Sequence, residues 1–186
     1  MKKKFAYRTP IGVLALSILG TTISLADMPI FNETYDIDPA ACEGLQLDGV
    51  TYSFTVGGAP SLDCVAGTYI GPGSSNNINM PNVEGTSAGV LHLRFDVPTT
   101  KFGFGVAQNT FASPQVQSVI VDLYRPGVGL LREEIALDAT SDPNFIGTRY
   151  DYDGPAVRTV TIRHSGAFTR FAIDNVTYFR PPGKTK

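Results

Sequence analysis

The chain has 186 residues, of which 42% are hydrophobic, 15 are basic and 17 are acidic. That length suits one domain with a substantial core, since a domain of this size buries about 70% of its unfolded surface. The acidic excess argues against nucleic acid and anionic membrane surfaces as partners, because both require a basic protein surface.

The first 26 residues are typical of a secretory signal peptide. Four basic residues within the first eight precede an uncharged run, Ile11–Ala26, which ends in Ser24-Leu25-Ala26. A membrane anchor is the alternative, but a spanning helix needs about 20 apolar residues, and this run is shorter and interrupted by Gly, Thr and Ser. We therefore expect cleavage after Ala26 and a secreted or periplasmic protein with a net charge of −6. The expected organisation is a signal peptide over 1–26, a single domain over 27–180 and a disordered tail over 181–186.

Cys42 and Cys64 are the two cysteines. An isolated pair in an exported chain is most simply a disulfide, which would contribute about 3 kcal/mol on the chain-entropy model. No flanking base or CxxC spacing supports a reactive thiol instead.

Period-two alternation dominates the mature chain and predicts an antiparallel β-sandwich or barrel. Eight or nine strands follow one another at roughly ten-residue spacing, and turn residues separate them. The clearest predicted strands are Leu45–Val56, a strand from Gly89, KFGFGVA from Lys101, Val116–Tyr124, Val128–Leu137, Phe145–Tyr150, Val157–Arg163 and Phe168–Phe179.

Turn chemistry predicts where these strands end. Asp48-Gly49 favours a tight turn because both residues tolerate positive φ. Pro98-Thr99-Thr100 and Asp153-Gly154-Pro155 are also expected to turn the chain, and Pro39–Gly44 is the one candidate helical turn. The glycines of KFGFGVA remove side chains from one face, which suits a strand that another piece of backbone crosses closely.

Few residues suggest catalysis. Gly85–Gly89 matches GxSxG around Ser87, but that motif needs a strand-turn-helix context, and here a strand follows. His92 and His164 lack a second ligand at metal spacing and are expected to be solvent-facing or hydrogen-bonded. Acid pairs such as Asp151 with Asp153, or Asp138 with Asp142, are expected in loops, where acids are usually solvated.

Two other groups are candidate binding residues. Tyr150 and Tyr152 are expected to be exposed beside a loop, where their rings could stack on a sugar. Asp174 lies in the last strand among apolar residues, and a buried carboxylate requires a partner. If the chain ends run side by side, Asp174 either shares a Ca²⁺ with Glu33 or accepts hydrogen bonds from backbone N–H groups of the N-terminal segment.

The order LDGVTYSF, FDVPTTKFGFGV, VIVDLYRPGVGLL, FIGTRYDYDGPAVRTVTIRH and FAIDNVTYF resembles known families. These are the jelly-roll sandwiches of bacterial exported proteins, including those with a PEP-CTERM tail, and the galactose-binding-like carbohydrate-binding modules. The resemblance implies an all-β, antiparallel two-sheet β-sandwich of jelly-roll type. It also implies a structural calcium at Asp174 and Glu33. The tail carries no PEP-CTERM signal, and the chain has no Trp for sugar stacking.

The favoured hypothesis is an exported, non-catalytic module that binds carbohydrate or another extracellular ligand. The alternatives are a structural or adhesive surface protein, which would bind another surface protein, and an extracellular hydrolase.

Overall fold

The computed structural model describes residues 30–33, 35–67, 82–109, 118–139, 145–165 and 170–179. These ranges contain thirteen β-strands, nine of which have four or more residues, in line with the predicted eight or nine. None of the described residues belongs to a helix that could cross a membrane. The strands are β1 Ile30–Glu33, β2 Ala40–Ala41, β3 Gln46–Leu47, β4 Val50–Val56, β5 Ala59–Pro60, β6 Cys64–Gly67, β7 Asn82–Thr86, β8 Gly89–Asn109, β9 Ser118–Arg125, β10 Gly129–Ala136, β11 Asp138–Ala139, β12 Phe145–Ser165 and β13 Arg170–Phe179.

Antiparallel hydrogen bonds connect all the strands, and the sheet folds into two layers at the long strands β8 and β12. The first layer runs β10-β9-β12-β8-β4, with β3 and β5 paired to β4. The second runs β12-β8-β13-β7-β6-β2, with β11 beside β12 and β1 beside β13. The architecture is therefore an all-β, antiparallel sandwich consistent with a jelly roll.

The two long strands bend together at one corner of the sandwich. Pro98-Thr99-Thr100 and Asp153-Gly154-Pro155 were predicted to be turns between separate strands, and both predictions are wrong because the strands continue through them. The β8–β12 register shifts between Asp153 and Val157 instead. An irregularity of this kind lets a strand leave one sheet and enter the other. Val97 lies at this corner and is 36% exposed.

Aromatic side chains fill the space between the layers. Phe54 of the first layer lies 6.0 Å from Phe171 of the second, and Phe95 lies 5.5 Å from Tyr178, both measured between ring centroids. All four rings are at most 4% exposed. Burial of a phenylalanine side chain contributes about 1.5–3 kcal/mol, so the predicted alternation in β4 and β8 supplies much of the core.

The disulfide between Cys42 and Cys64 is formed, with the two Cα atoms 5.4 Å apart and both side chains fully buried. The helical turn predicted at Pro39–Gly44 is wrong. Ala40 and Ala41 form β2, which pairs with β6 directly beside the disulfide. Tertiary pairing with β6 therefore overrides the local preference of this segment.

The turn predicted at Asp48-Gly49 is confirmed. Both residues have positive φ, 42° and 88°, and they connect β3 to β4. The hydroxyl of Tyr178 on β13 donates a hydrogen bond of 2.6 Å to the carbonyl oxygen of Asp48. This contact ties the hairpin to the opposite layer.

Two different strands share one edge of β13. β7 pairs with its first half, as far as Ile173, and β1 pairs with its second half, from Val176 to Phe179. Between the two partners the pairing of β13 with β8 is interrupted by a bulge, where Asn175 has a φ of 49°. The N-terminal segment and the last strand thus lie side by side, which meets the condition set for a link between Asp174 and that segment.

Candidate functional site

A row of three residues crosses the outer face of the second layer. Backbone pairing places Asp151 of β12 and Thr177 of β13 on either side of Gly103 of β8. A Cβ at Gly103 would lie 2.9 Å from the Arg149 Nη2 atom and would overlap the Asp151 carboxylate. Glycine is needed here because side chains from the neighbouring strand lie across it. The sequence predicted that backbone approaches this strand closely, and the Tyr150 carbonyl oxygen, which would lie 2.9 Å from a Cβ at Gly103, does so together with the two side chains.

Arg149 connects the two outer strands of this row. Its Nε lies 3.1 Å and 3.2 Å from the carboxylate oxygens of Asp151. Its Nη2 donates to the Thr177 hydroxyl at 2.9 Å, and its Nη1 donates to the Asn175 carbonyl oxygen at 3.2 Å. The guanidinium therefore holds the bulge of β13 and a carboxylate of β12 in one arrangement, as planar arginine is suited to do.

Beside this row lies an open groove of about 240 Å³. On its rim, the Lys101 ammonium lies 3.0 Å from an Asp153 carboxylate oxygen, and both side chains are more than half exposed. Exposed ion pairs of this kind add little stability, which leaves these groups available to a ligand. The groove is lined by polar residues on the rim and aromatic residues from the core side: Lys101, Asp151, Asp153, Thr177, Phe102, Tyr152 and Tyr178.

The sequence predicted that Tyr150 and Tyr152 are exposed. This prediction is wrong, because the two residues are only 4% and 8% exposed. The Tyr150 hydroxyl donates a hydrogen bond to the Glu133 carboxylate. Burial is the largest cause that raises the pKa of Tyr150, and the hydrogen bond to Glu133 is the second. The Tyr152 hydroxyl donates to the Pro155 carbonyl oxygen at 2.7 Å. Both residues lie on the core-facing side of β12, so their position in a strand, and not in a loop, explains their burial. Only Tyr152 of the two lines the groove.

Asp151 and Asp153 lie within β12, not in a loop as the sequence predicted. Their side chains are 68% and 71% exposed. Each has a cationic partner, Arg149 for Asp151 and Lys101 for Asp153. Of the other predicted acid pair, Asp138 lies in β11 and Asp142 falls outside the described residues.

Asp174 is 3% exposed and directly precedes the bulge of β13. Its Oδ2 accepts a hydrogen bond of 3.1 Å from the Asn175 side-chain amide. Glu33 pairs through its backbone with Val176, two residues farther along β13. The predicted calcium residues therefore lie on adjacent strands. The described part of the chain contains no cluster of three or more His, Cys, Asp or Glu side chains that could hold a metal ion.

The other residues considered for catalysis or metal binding, Ser87, His92 and His164, do not line the groove. Ser87 lies in the turn between β7 and β8, so strands flank the GxSxG sequence on both sides. His92 Nε2 lies 3.1 Å from the Thr55 hydroxyl, and burial lowers the pKa of His92. His164 contacts the Gln108 amide and stacks on Phe171, with ring centroids 4.6 Å apart.

Sequence reasoning did not identify Arg149, Lys101, Thr177 or Gly103 as site residues. The available signal was the alternation of β12, in which Arg149, Asp151 and Asp153 share a face. The pairing register, which brings Thr177 and Gly103 beside them, depends on the bulge and could not be deduced from local pattern.

Neither the family models nor the curated proteins gave a match to this sequence. Solved structures that match this chain include a family 29 carbohydrate-binding module (10% identity, 82% of this chain and 92% of that chain, TM-score 0.42). They also include the Clostridium thermocellum xylanase 10B fragment in complex with xylohexaose (10% identity, 83% and 29%, TM-score 0.39). A third is the K2 cleaved adhesin domain of Lys-gingipain (14% identity, 82% and 98%, TM-score 0.41).

Proposed function

We propose that this chain is an exported, non-catalytic module that binds carbohydrate in the groove beside β8. The observation that carries the proposal is the composition of the groove. Carboxylates, an ammonium group and a hydroxyl stand on the rim, and Phe102, Tyr152 and Tyr178, which are 2%, 8% and 4% exposed, complete the lining. A sugar ring presents many hydroxyl groups, and charge-assisted hydrogen bonds between these and the exposed carboxylates of the rim would hold it.

The size of the groove bears on the kind of binding. Its volume of about 240 Å³ is smaller than that of most enclosed small-molecule sites, which run to about 300–1,000 Å³. An open site of this size suits contact with part of a longer glycan more than enclosure of a whole ligand. Such contact requires no catalytic group.

A glycan array with and without EDTA tests this function. Wild type is expected to bind at least one class of glycan, and Asp151→Ala to lose about tenfold or more in affinity, which corresponds to about 1.4 kcal/mol. Thr51→Ala, a substitution on β4 in the other layer, is the matched control and should bind as wild type does. Absence of binding to every glycan under both conditions would contradict the proposal.

We further propose that Glu33 and Asp174 hold a structural Ca²⁺ that fastens β1 to β13. The backbone pairing of β1 with β13 and the burial of Asp174 support this assignment. Calcium takes six to eight oxygen ligands, so backbone carbonyls would have to complete the site. The alternative is that Asp174 only accepts hydrogen bonds from backbone N–H groups of the N-terminal segment.

Thermal melts in added calcium and in EDTA distinguish these two roles. A calcium site predicts that calcium raises the Tm of wild type and that Asp174→Asn abolishes this increase. If calcium changes the Tm of neither protein, Asp174 is a hydrogen-bonded acid and not a ligand.

A protein-binding role is the second candidate, and one observation favours it. Tyr124, Val128 and Leu130, at the tip of the β9–β10 hairpin, are 45%, 58% and 49% exposed. Exposed apolar residues that adjoin one another are typical of protein contacts. If no glycan binds, this hairpin is the surface to test next.

A further inference from the structure

We infer that Arg149 is a positioning residue that makes the groove selective for uncharged, hydroxyl-rich sugars over charged ones. This inference rests on the proposed carbohydrate function and adds the class of sugar to it. It starts from the charge balance of the site. Asp151 and Asp153 are each paired with one cation, Arg149 and Lys101 respectively, so the four charges cancel.

Charge balance governs which sugar the groove accepts. A uronic acid would meet two carboxylates, and an amino sugar would meet Lys101 on the rim and would compete with Arg149 for Asp151, so each would disturb an existing ion pair at a cost. A neutral sugar can donate its hydroxyl groups to the free lone pairs of the carboxylates without breaking either pair. Hydrogen bonds to charged groups are stronger than those between neutral groups, so the carboxylates are suitable anchors for such hydroxyls.

The position of Arg149 explains how the carboxylate of Asp151 is held in place. Arg149 lies across Gly103, where the strand has no side chain, and reaches from β12 to the Thr177 hydroxyl and the Asn175 carbonyl oxygen on β13. Its hydrogen bonds thus use all three of its side-chain nitrogen atoms. The guanidinium is therefore a fixed support for Asp151 and Thr177, which themselves line the groove.

Two variants separate positioning by Arg149 from its charge. Arg149→Ala leaves Asp151 without its cation, so the groove gains a net negative charge and Thr177 loses a donor. We expect about tenfold weaker binding of neutral oligosaccharides, together with a preference for amino-sugar oligomers such as chitosan fragments. Arg149→Ala combined with Asp151→Asn restores neutrality and should remove that preference for amino sugars, although the affinity stays low.

Arg158→Ala is the matched control. Arg158 is on the same strand, but it donates to the Asp96 carbonyl oxygen and does not line the groove. Its removal should change neither affinity nor preference. All variants are first compared with wild type by thermal melts. Arg149→Lys is a further variant that keeps the positive charge but lacks the planar guanidinium. It is expected to bind neutral sugars more weakly without a change in sugar preference.

The outcomes distinguish this inference from the function on which it rests. If wild type binds neutral glycans and Arg149→Ala keeps both affinity and preference, the inference is overturned while carbohydrate binding stands. If wild type prefers uronic acids or amino sugars, the inference is also wrong. If wild type binds no glycan, the proposed function itself fails.

Discussion

His164 shows how a single partly buried residue couples the fold to pH. Its ring stacks on Phe171 and contacts the Gln108 amide, and its Nε2 atom has no hydrogen-bond partner among the described residues. Burial lowers the pKa of His164 from 6.5 to about 3. The folded protein therefore keeps this ring neutral at pH values at which the unfolded chain protonates it.

The sign of the effect follows from linkage. Because the folded pKa of His164 is depressed, its contribution to stability is complete above pH 6.5 and is lost as the pH falls from 6.5 towards 3. One such proton changes the free energy of unfolding by about 1.4 kcal/mol per pH unit within that window. His164→Phe keeps an aromatic ring against Phe171, and urea unfolding from pH 7 to pH 4 should show a shallower loss of stability than in wild type.

His92→Gln serves as the comparison for that measurement. Burial lowers the pKa of His92 too, but the negative charge of Glu43 opposes this shift. The pH dependence of this variant should therefore stay closer to that of wild type. Equal slopes for wild type and His164→Phe would show that His164 is solvated in the folded protein.

At the scale of elements, the shared corner of β8 and β12 is held by one hydroxyl group. The Thr99 side chain, 1% exposed, donates to the Lys101 carbonyl oxygen at 2.6 Å. It also accepts a hydrogen bond of 3.0 Å from the backbone N–H of Phe179 on β13. This hydroxyl thus connects the corner to the last strand, close to the groove.

Thr99→Val tests this role because it keeps the shape of the side chain and removes the hydroxyl. The backbone N–H of Phe179 would be left buried without an acceptor, which costs about 1–3 kcal/mol. Denaturant unfolding should show a loss in that range. Thr51→Val makes the same substitution on the outer face of β4 and is expected to change stability by less than about 0.5 kcal/mol. Similar values for the two variants would contradict the role assigned to the corner.

At the scale of the whole molecule, the disulfide secures the part of the second layer that includes β2 and β6. Removing it with Cys42→Ser and Cys64→Ser together should reduce the free energy of unfolding by about 2–4 kcal/mol. Thermal melts of the double variant, and of wild type with and without a reducing agent, measure this effect. An unchanged Tm after verified reduction would mean that strand pairing alone fixes this segment.

The sequence was sufficient to predict the disulfide, the Asp48-Gly49 turn and the fold class. Each depends on local chemistry or on strong alternation. It was not sufficient at Pro98-Thr99-Thr100 or Asp153-Gly154-Pro155, because residues typical of turns also occur where a long strand bends. The groove was missed for a related reason, since its residues come from three strands whose register is fixed by tertiary pairing and by the bulge at Asn175.

The division of one β13 edge between β7 and β1 has a consequence for assembly. Without residues 30–33, the backbone donors and acceptors of Val176–Phe179 on that side would have no partner strand in the described fold. An open edge of this kind recruits strands from other molecules. A chain that lacks all residues before position 34 is therefore expected to dimerise or aggregate in size-exclusion chromatography. A synthetic peptide of the sequence IFNE with its flanking residues should restore the monomer by occupying the open edge of β13.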